Sequence, residues 1–205
     1  MKPYTTIYQQ SEYLFEDRKS RFIGEAAPVE TEAQALDFIA SVKKKYPDAR
    51  HHVYAYVLRD NSIMRFTDDH EPQGTAGMPV LDVIRKNNCT DTVIVVTRYF
   101  GGTLLGTGGL VHAYTEAAKG ALLAGKIVTY NVRREYSVAL TYSDYQKVSS
   151  EFPALNFTVK ETDYSDVVTV SGSLLIEDSE NFEQRLVEIT AARVKIVKIG
   201  EFFGF

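Results

Sequence analysis

The sequence predicts an α+β protein of two domains, residues 1–130 and 131–205. Three observations predict it. Segments with helical spacing of apolar residues alternate with segments of strand character along the whole chain. The second stretch reads as β-α-β-β-α-β, the split-βαβ or ferredoxin-like order, which closes on itself as a unit. The chain has 205 residues, 44% of them apolar and 12% aromatic, which supplies two small cores.

The elements follow in order. A first strand is expected over Arg21 to Val29. Thr31-Glu32-Ala33-Gln34 reads as a capping box, and Ala35, Phe38, Ile39, Val42 and Tyr46 then recur at helical spacing until Pro47-Asp48 stops the helix. His52 to Leu58 reads as a strand, with Ile63 to Phe66 as its hairpin partner. A polar loop, Thr67 to Gly77, precedes a short helix over Pro79 to Asn88. Val93-Ile94-Val95-Val96 is the continuous apolar run of a central strand, Asp91 to Thr97. A glycine-rich loop leads into a long helix with the apolar face Leu110, Ala113, Tyr114, Ala117, Ala118, Ala121 and Leu122, ended by Gly125.

Lys126 to Val132 is expected to be a linker. Tyr136, Val138, Leu140 and Tyr142 alternate as a strand, and Ser143-Asp144-Tyr145-Gln146 is read as a second capping box opening a short helix with Tyr145, Val148 and Phe152. Phe157 to Tyr164 and Val167 to Ile176 form a hairpin around Ser165-Asp166. Phe182, Leu186 and Ile189 mark a helix, and Arg193 to Phe203 is the last strand.

Charge and composition exclude several classes. The net charge is −4. Residues 1–130 are electrically balanced and the excess of acid lies in 131–205, so neither part is a basic nucleic-acid module in bulk. Contact with nucleic acid would need a local patch of Lys and Arg. No stretch approaches the roughly 18 apolar residues of a membrane span. The start, Met1-Lys2-Pro3-Tyr4-Thr5, has no apolar signal core, and Cys89 is the sole cysteine, which together indicate a cytoplasmic protein. Cys89 reads as a buried, inert thiol.

Two segments carry the candidate chemistry. Phe66 to Pro79 packs Asp68, Asp69, His70, Glu71, Thr75 and two glycines into one loop. Val96 to Leu110 holds Arg98, Tyr99, Phe100, Gly101, Gly102, Gly106, Thr107, Gly108 and Gly109 between a buried strand and a helix start. Glycine allows positive φ and close approach of a ligand, and a helix N-terminus offers free N–H groups, so the second segment can hold an anion with Arg98 as its fork and Tyr99 and Phe100 as stacking faces. The alternative stands beside it: the glycines serve tight turns, and Arg98 pairs with Asp68 or Asp69. The spacing matches neither a Walker loop nor the dinucleotide fingerprint. Asp68, Asp69 and Glu71 are a hard-cation set on paper but read better as turn and cap residues, and His51 and His52, adjacent on a strand, face opposite ways. No metal, cofactor or catalytic residue is assigned; His52 is the histidine placed with the candidate site.

Asp48-Ala49-Arg50-His51-His52, the Thr67 to Pro79 loop and the Arg98-Tyr99-Phe100-Gly101-Gly102 block with Leu105-Gly106-Thr107-Gly108-Gly109 together resemble the IMPACT family (UPF0029), including its bacterial YigZ-type members. The resemblance covers nearly the whole chain. It implies that 1–130 resembles the second domain of ribosomal protein S5, and that 131–205 resembles the ferredoxin-like last domain of the translocation GTPase. It further implies a translation-linked protein docking RNA, the ribosome or a translation-associated factor. One position departs from the pattern: His70 stands where the family usually has glycine. Two other readings remain open, an enzyme acting on a phosphorylated or nucleotide ligand, and a protein-interaction module built on 131–205 with Phe202, Phe203 and Phe205 as an apolar patch.

Overall fold

The structure is a computed structural model and describes residues 1–59 and 62–205. It is a mixed fold of two antiparallel sheets and five helices among the described residues. The chain divides into one compact unit of Tyr4–Thr129 and another of Met1–Pro3 with Tyr130–Phe205.

In the first unit a sheet of order β2-β3-β6-β4-β5 is built from Ser11–Asp17 (β2), Ser20–Pro28 (β3), Thr92–Tyr99 (β6), His51–Val57 (β4) and Met64–Thr67 (β5). β6 is central, and every one of Thr92 to Arg98 is buried. Alternation along the strands splits the core in two. Val53, Ala55, Ile94 and Val96 face the helices α2 (Gly77–Lys86) and α3 (Gly106–Ala124). Tyr56, Val93 and Val95 face α1 (Glu32–Lys45) through Ala35, Ile39 and Val42. The expected face of α3 is the buried one, residue for residue. The Thr31 hydroxyl accepts from the Gln34 N–H and the Gln34 side chain accepts from the Glu30 N–H, which closes the start of α1.

Two strands precede the one expected first. β1 (Tyr4–Ile7) pairs with the start of β7 (Ile127–Leu140), where the Thr5 and Thr129 hydroxyls meet at 2.9 Å. β2 forms a hairpin with β3, in which Asp17 faces Ser20 and leaves only Arg18 and Lys19 in the turn. The segment expected to be a linker, Lys126 to Val132, is strand from Ile127 onward. Its Val128, Tyr130 and Val132 carry enough β-propensity to pair rather than dangle.

The second unit orders its strands β10-β7-β9-β8, with β8 Thr158–Tyr164, β9 Val168–Leu175 and β10 Lys195–Gly204, every pair antiparallel. Tyr136, Val138, Val168, Val170 and Leu174 form its core with Val148 of α4 (Tyr142–Val148) and with Phe182 and Leu186 of α5 (Ser179–Thr190). Here the sequence reading needs three corrections. Phe152, expected on the short helix, lies beyond its end at Val148, though it is buried in the core. Tyr142 opens α4 instead of ending β7, and the cap is Thr141, whose hydroxyl accepts from the Asp144 N–H at 3.2 Å. Ser143 lies inside the helix because Thr141, extended at ψ 158°, comes first after the strand.

Candidate functional site

β3, β4 and β6 bring their ends together at one edge of the first sheet. Phe22 and His51 are the cross-strand neighbours of Arg98. All three point to the α2/α3 side, as the alternation of the strands requires. The loop between β5 and α2 drops Glu71 onto this row, and α3 adds Tyr114.

Arg98 is therefore not a surface cation. It is 6% exposed, and its Nη1 donates to Glu71 Oε1 at 2.6 Å. The same oxygen accepts from the Tyr114 hydroxyl at 2.8 Å. The guanidinium lies 5.4 Å from the Phe22 ring and 5.6 Å from the Phe100 ring. Burial first, then the neighbouring Glu71 charge, push the Tyr114 phenol far above its ordinary pKa, so it stays a donor. His51 Nε2 stands 4.0 Å from Glu71 Oε1, while its Nδ1 meets the Asp69 carbonyl at 2.8 Å. A carbonyl only accepts, so Nδ1 carries a proton there.

Neither Asp68 nor Asp69 is the partner of Arg98. Asp68 accepts from the N–H groups of Gly74, Ala76 and Gly77 at 2.9, 3.1 and 2.8 Å, which ties the loop and caps α2. Asp69 accepts from the His52 N–H at 2.6 Å. Thr75 is buried and donates to the Pro72 carbonyl at 2.6 Å. Each carboxylate of the acidic loop thus has a local structural partner. His52 turns the other way, with Nε2 at 3.0 Å from the Tyr46 carbonyl, so His51 is the histidine beside the Arg98–Glu71 pair. The strand period separates the two rings; it does not say which one meets the loop. Glu71 could be distinguished from its acidic neighbours only by its reach across 27 residues of sequence.

The glycine-rich segment is split between interior and surface. Tyr99 donates to Asp48 Oδ1 at 2.9 Å. Gly101 is packed: a Cβ there would lie 2.1 Å from the Lys19 carbonyl carbon, and its N–H donates to the Ser20 hydroxyl at 3.1 Å. Gly102 and Gly106 take φ of +84° and +73°. Gly102, Thr103, Leu104, Gly106, Thr107 and Gly108 are exposed, with Gly109 half-buried. No side chain caps the start of α3.

Sequence reasoning missed the neighbour of this loop. The seat of Gly101 against Lys19 holds the β2–β3 turn beside it, and Arg18, Lys19 and Arg21 there are exposed, as is Arg50 just before β4. Arg18 and Lys19 sit at φ of +46° and +66°. A two-residue turn with both φ positive normally takes Asn-Gly. Arg18, Lys19 and Arg50 give this edge local cations, while Arg21 stands 3.6 Å from the exposed Glu16 carboxylate.

The fold and site define a small class: two antiparallel α+β units, the first carrying a glycine-rich turn over a buried arginine–glutamate pair. The Impact N-terminal domain family matches residues 18–122, and a domain of unknown function, DUF1949, matches residues 138–193. The chain belongs to the IMPACT family. It is 36% identical to IMPACT family member YvyE of Bacillus subtilis over 199 residues, covering 97% of this chain and 91% of that protein. It is 32% identical to IMPACT family member YigZ of Escherichia coli over 189 residues, covering 91% and 93%. Protein IMPACT of Bos taurus matches at 34% over 100 residues, 47% of this chain and 31% of that protein. A crystal structure of a hypothetical protein superposes with a TM-score of 0.61 at 30% identity, covering 98% of each chain. Among the described residues no helix is long and apolar enough to cross a membrane.

Proposed function

We propose that this chain is a translation-linked binding protein that docks RNA or the ribosome through the glycine-rich edge of its first unit. The carrying observation is the seat of Gly101 on the Lys19 backbone. It sets Arg18, Lys19 and Arg21 next to the exposed Phe100, Gly102 to Leu104 and Gly106 to Gly108. Cations there meet phosphates, and Phe100, 55% exposed, offers a ring for stacking. In this reading Arg98 braces the loop from inside, and the surface cations do the docking.

The strand order β10-β7-β9-β8 supports reading the second unit as ferredoxin-like, and the sheet of the first unit between α1 and the α2/α3 layer supports the likeness to the second domain of ribosomal protein S5. Both likenesses point toward RNA-handling proteins by analogy of fold. An enzyme reading gains no support from the acidic loop, because Asp68, Asp69 and Glu71 are each engaged in holding structure.

The test is co-sedimentation of the full chain with ribosomes at low and near-physiological salt, beside the variant R18E/K19E. The expected result is binding that weakens with salt and is lost in the variant. Wild-type sedimentation no greater than that of an unrelated acidic protein overturns the reading.

A further inference from the structure

Arg98 has five N–H donors and spends one. Its Nη1 is bound to Glu71, but the Nε–Nη2 edge has no hydrogen-bond partner among the described residues, and Nε is wholly buried. The Phe22 and Phe100 rings lie within reach of the guanidinium, 5.4 and 5.6 Å from its carbon, and supply no acceptor oxygen for that edge. Two other arginines of the chain use this edge to grip a carboxylate. Arg193 holds Asp144 through Nε at 3.1 Å and Nη2 at 2.7 Å, and Arg134 holds Glu201 at 3.3 and 2.6 Å. A buried guanidinium Nε without an acceptor is costly, since such a donor loses free energy when left unmet, and it shares its edge with an Nη2 that also has no partner among the described residues.

The surroundings favour a particular acceptor. Glu71 offsets the charge of Arg98. The further positive potential comes from the 19-residue helix α3, whose start carries no side-chain cap, and from Arg18, Lys19, Arg21 and Arg50 at the same edge. The segment joining Arg98 to that helix start is the open glycine-rich turn, with nothing within 4 Å of a Cβ at Gly102, Gly106 or Gly108. We infer that the Nε–Nη2 edge of Arg98 is a subsite for one phosphate group, taken bidentately beside the glycine-rich turn. The inference deepens the docking reading and rests on it only for where the phosphate comes from, an RNA end or a free phosphate compound.

The experiment titrates the full chain with inorganic phosphate and with one short RNA bearing either a 5′-phosphate or a 5′-hydroxyl, at matched ionic strength. Wild type, R98K and R18A/K19A are compared by calorimetry. R98K keeps the charge and removes the fork. The expected result is binding of inorganic phosphate, and a preference of about tenfold or more for the phosphorylated RNA that R98K abolishes. Phosphate bound by wild type with equal affinity for both RNAs assigns the subsite to free phosphate compounds. Equal RNA affinities with no heat from phosphate overturn the inference, and they do so on wild type alone, whatever the stability of R98K. Phosphate binding unchanged in R98K overturns it too. Loss of both RNAs in R18A/K19A with phosphate binding intact leaves the docking reading and the subsite both standing, whereas phosphate binding without any RNA binding in wild type removes the docking reading only.

Discussion

Glu71 and Arg98 meet at 2.6 Å with side chains 4% and 7% exposed, which makes them a buried ion pair between a loop and the central strand. Such a pair is costly to break from one side, because the survivor is left charged in a dry place. Glu71→Ala is expected to lower stability by about 3–5 kcal/mol. Tyr114→Phe, which removes only the second donor to the same oxygen, is expected to cost about 1.5–3 kcal/mol. The double change E71L/R98M is expected to recover most of the loss of E71A. Urea unfolding of the three variants checks this; an E71A midpoint equal to wild type would show that solvent already shields the pair.

The β2–β3 turn supplies a trade between stability and binding. Arg18 and Lys19 hold positive φ, a conformation that costs a non-glycine residue roughly 1 kcal/mol or more. R18N/K19G places the preferred residues of such a turn and is expected to raise the stability of the chain by about 1 kcal/mol. It removes two exposed cations beside the loop, and ribosome co-sedimentation is expected to fall. A variant that is more stable and binds as well as wild type would remove the cations from the docking surface.

The legibility of this fold in its sequence divides along physical lines. The face of α3, the apolar run of β6 and the βαββαβ order of the second unit are periodic patterns, and they are visible because burial repeats with the element. β2 is hidden because it is an edge strand of mixed pattern, with Glu12, Tyr13 and Leu14 all exposed, and its hairpin turn is Arg-Lys where a turn signal would be Asn-Gly. The site suffers from the same cause. Arg98 is recognisable as special, but its partner comes from a loop with three acids, and nothing local separates Glu71 from Asp68 or Asp69. The basic turn that meets Gly101 is 81 residues away from it in the chain, as the Ser20 bond records, so no window of sequence holds both.

His70 gives a cleaner test of backbone strain. It takes φ of +70° directly after Asp69 at +42°, and it is exposed. Glycine adopts that conformation without a Cβ clash. His70→Gly is expected to stabilise the protein by up to about 1 kcal/mol, net of the extra freedom glycine gains when unfolded. Thermal unfolding of the variant reads this as a higher Tm. A lower Tm would mean that the imidazole makes a contact worth more than the relief of strain.

The second unit should lose stability in acid through Asp144. Arg193 grips this carboxylate at 2.7 and 3.1 Å, and the Thr141 hydroxyl adds a bond at 2.9 Å. The Arg193 hydrogen bonds, the largest cause, hold the Asp144 pKa below its ordinary value even though desolvation works the other way. The folded state therefore binds this proton less readily than the unfolded chain. The contribution is present in full above the unfolded carboxylate value near 4 and is lost as pH falls through the lower folded value. Asp144→Asn removes the charge and so removes this source of pH dependence, though it also weakens the grip of Arg193. Wild type and D144N unfolded by urea between about pH 6 and pH 2 should converge as the solution becomes acidic. A difference between them that stays constant across that range would show that Asp144 acts by shape and hydrogen bonding alone, with its charge contributing nothing to the hold of Arg193.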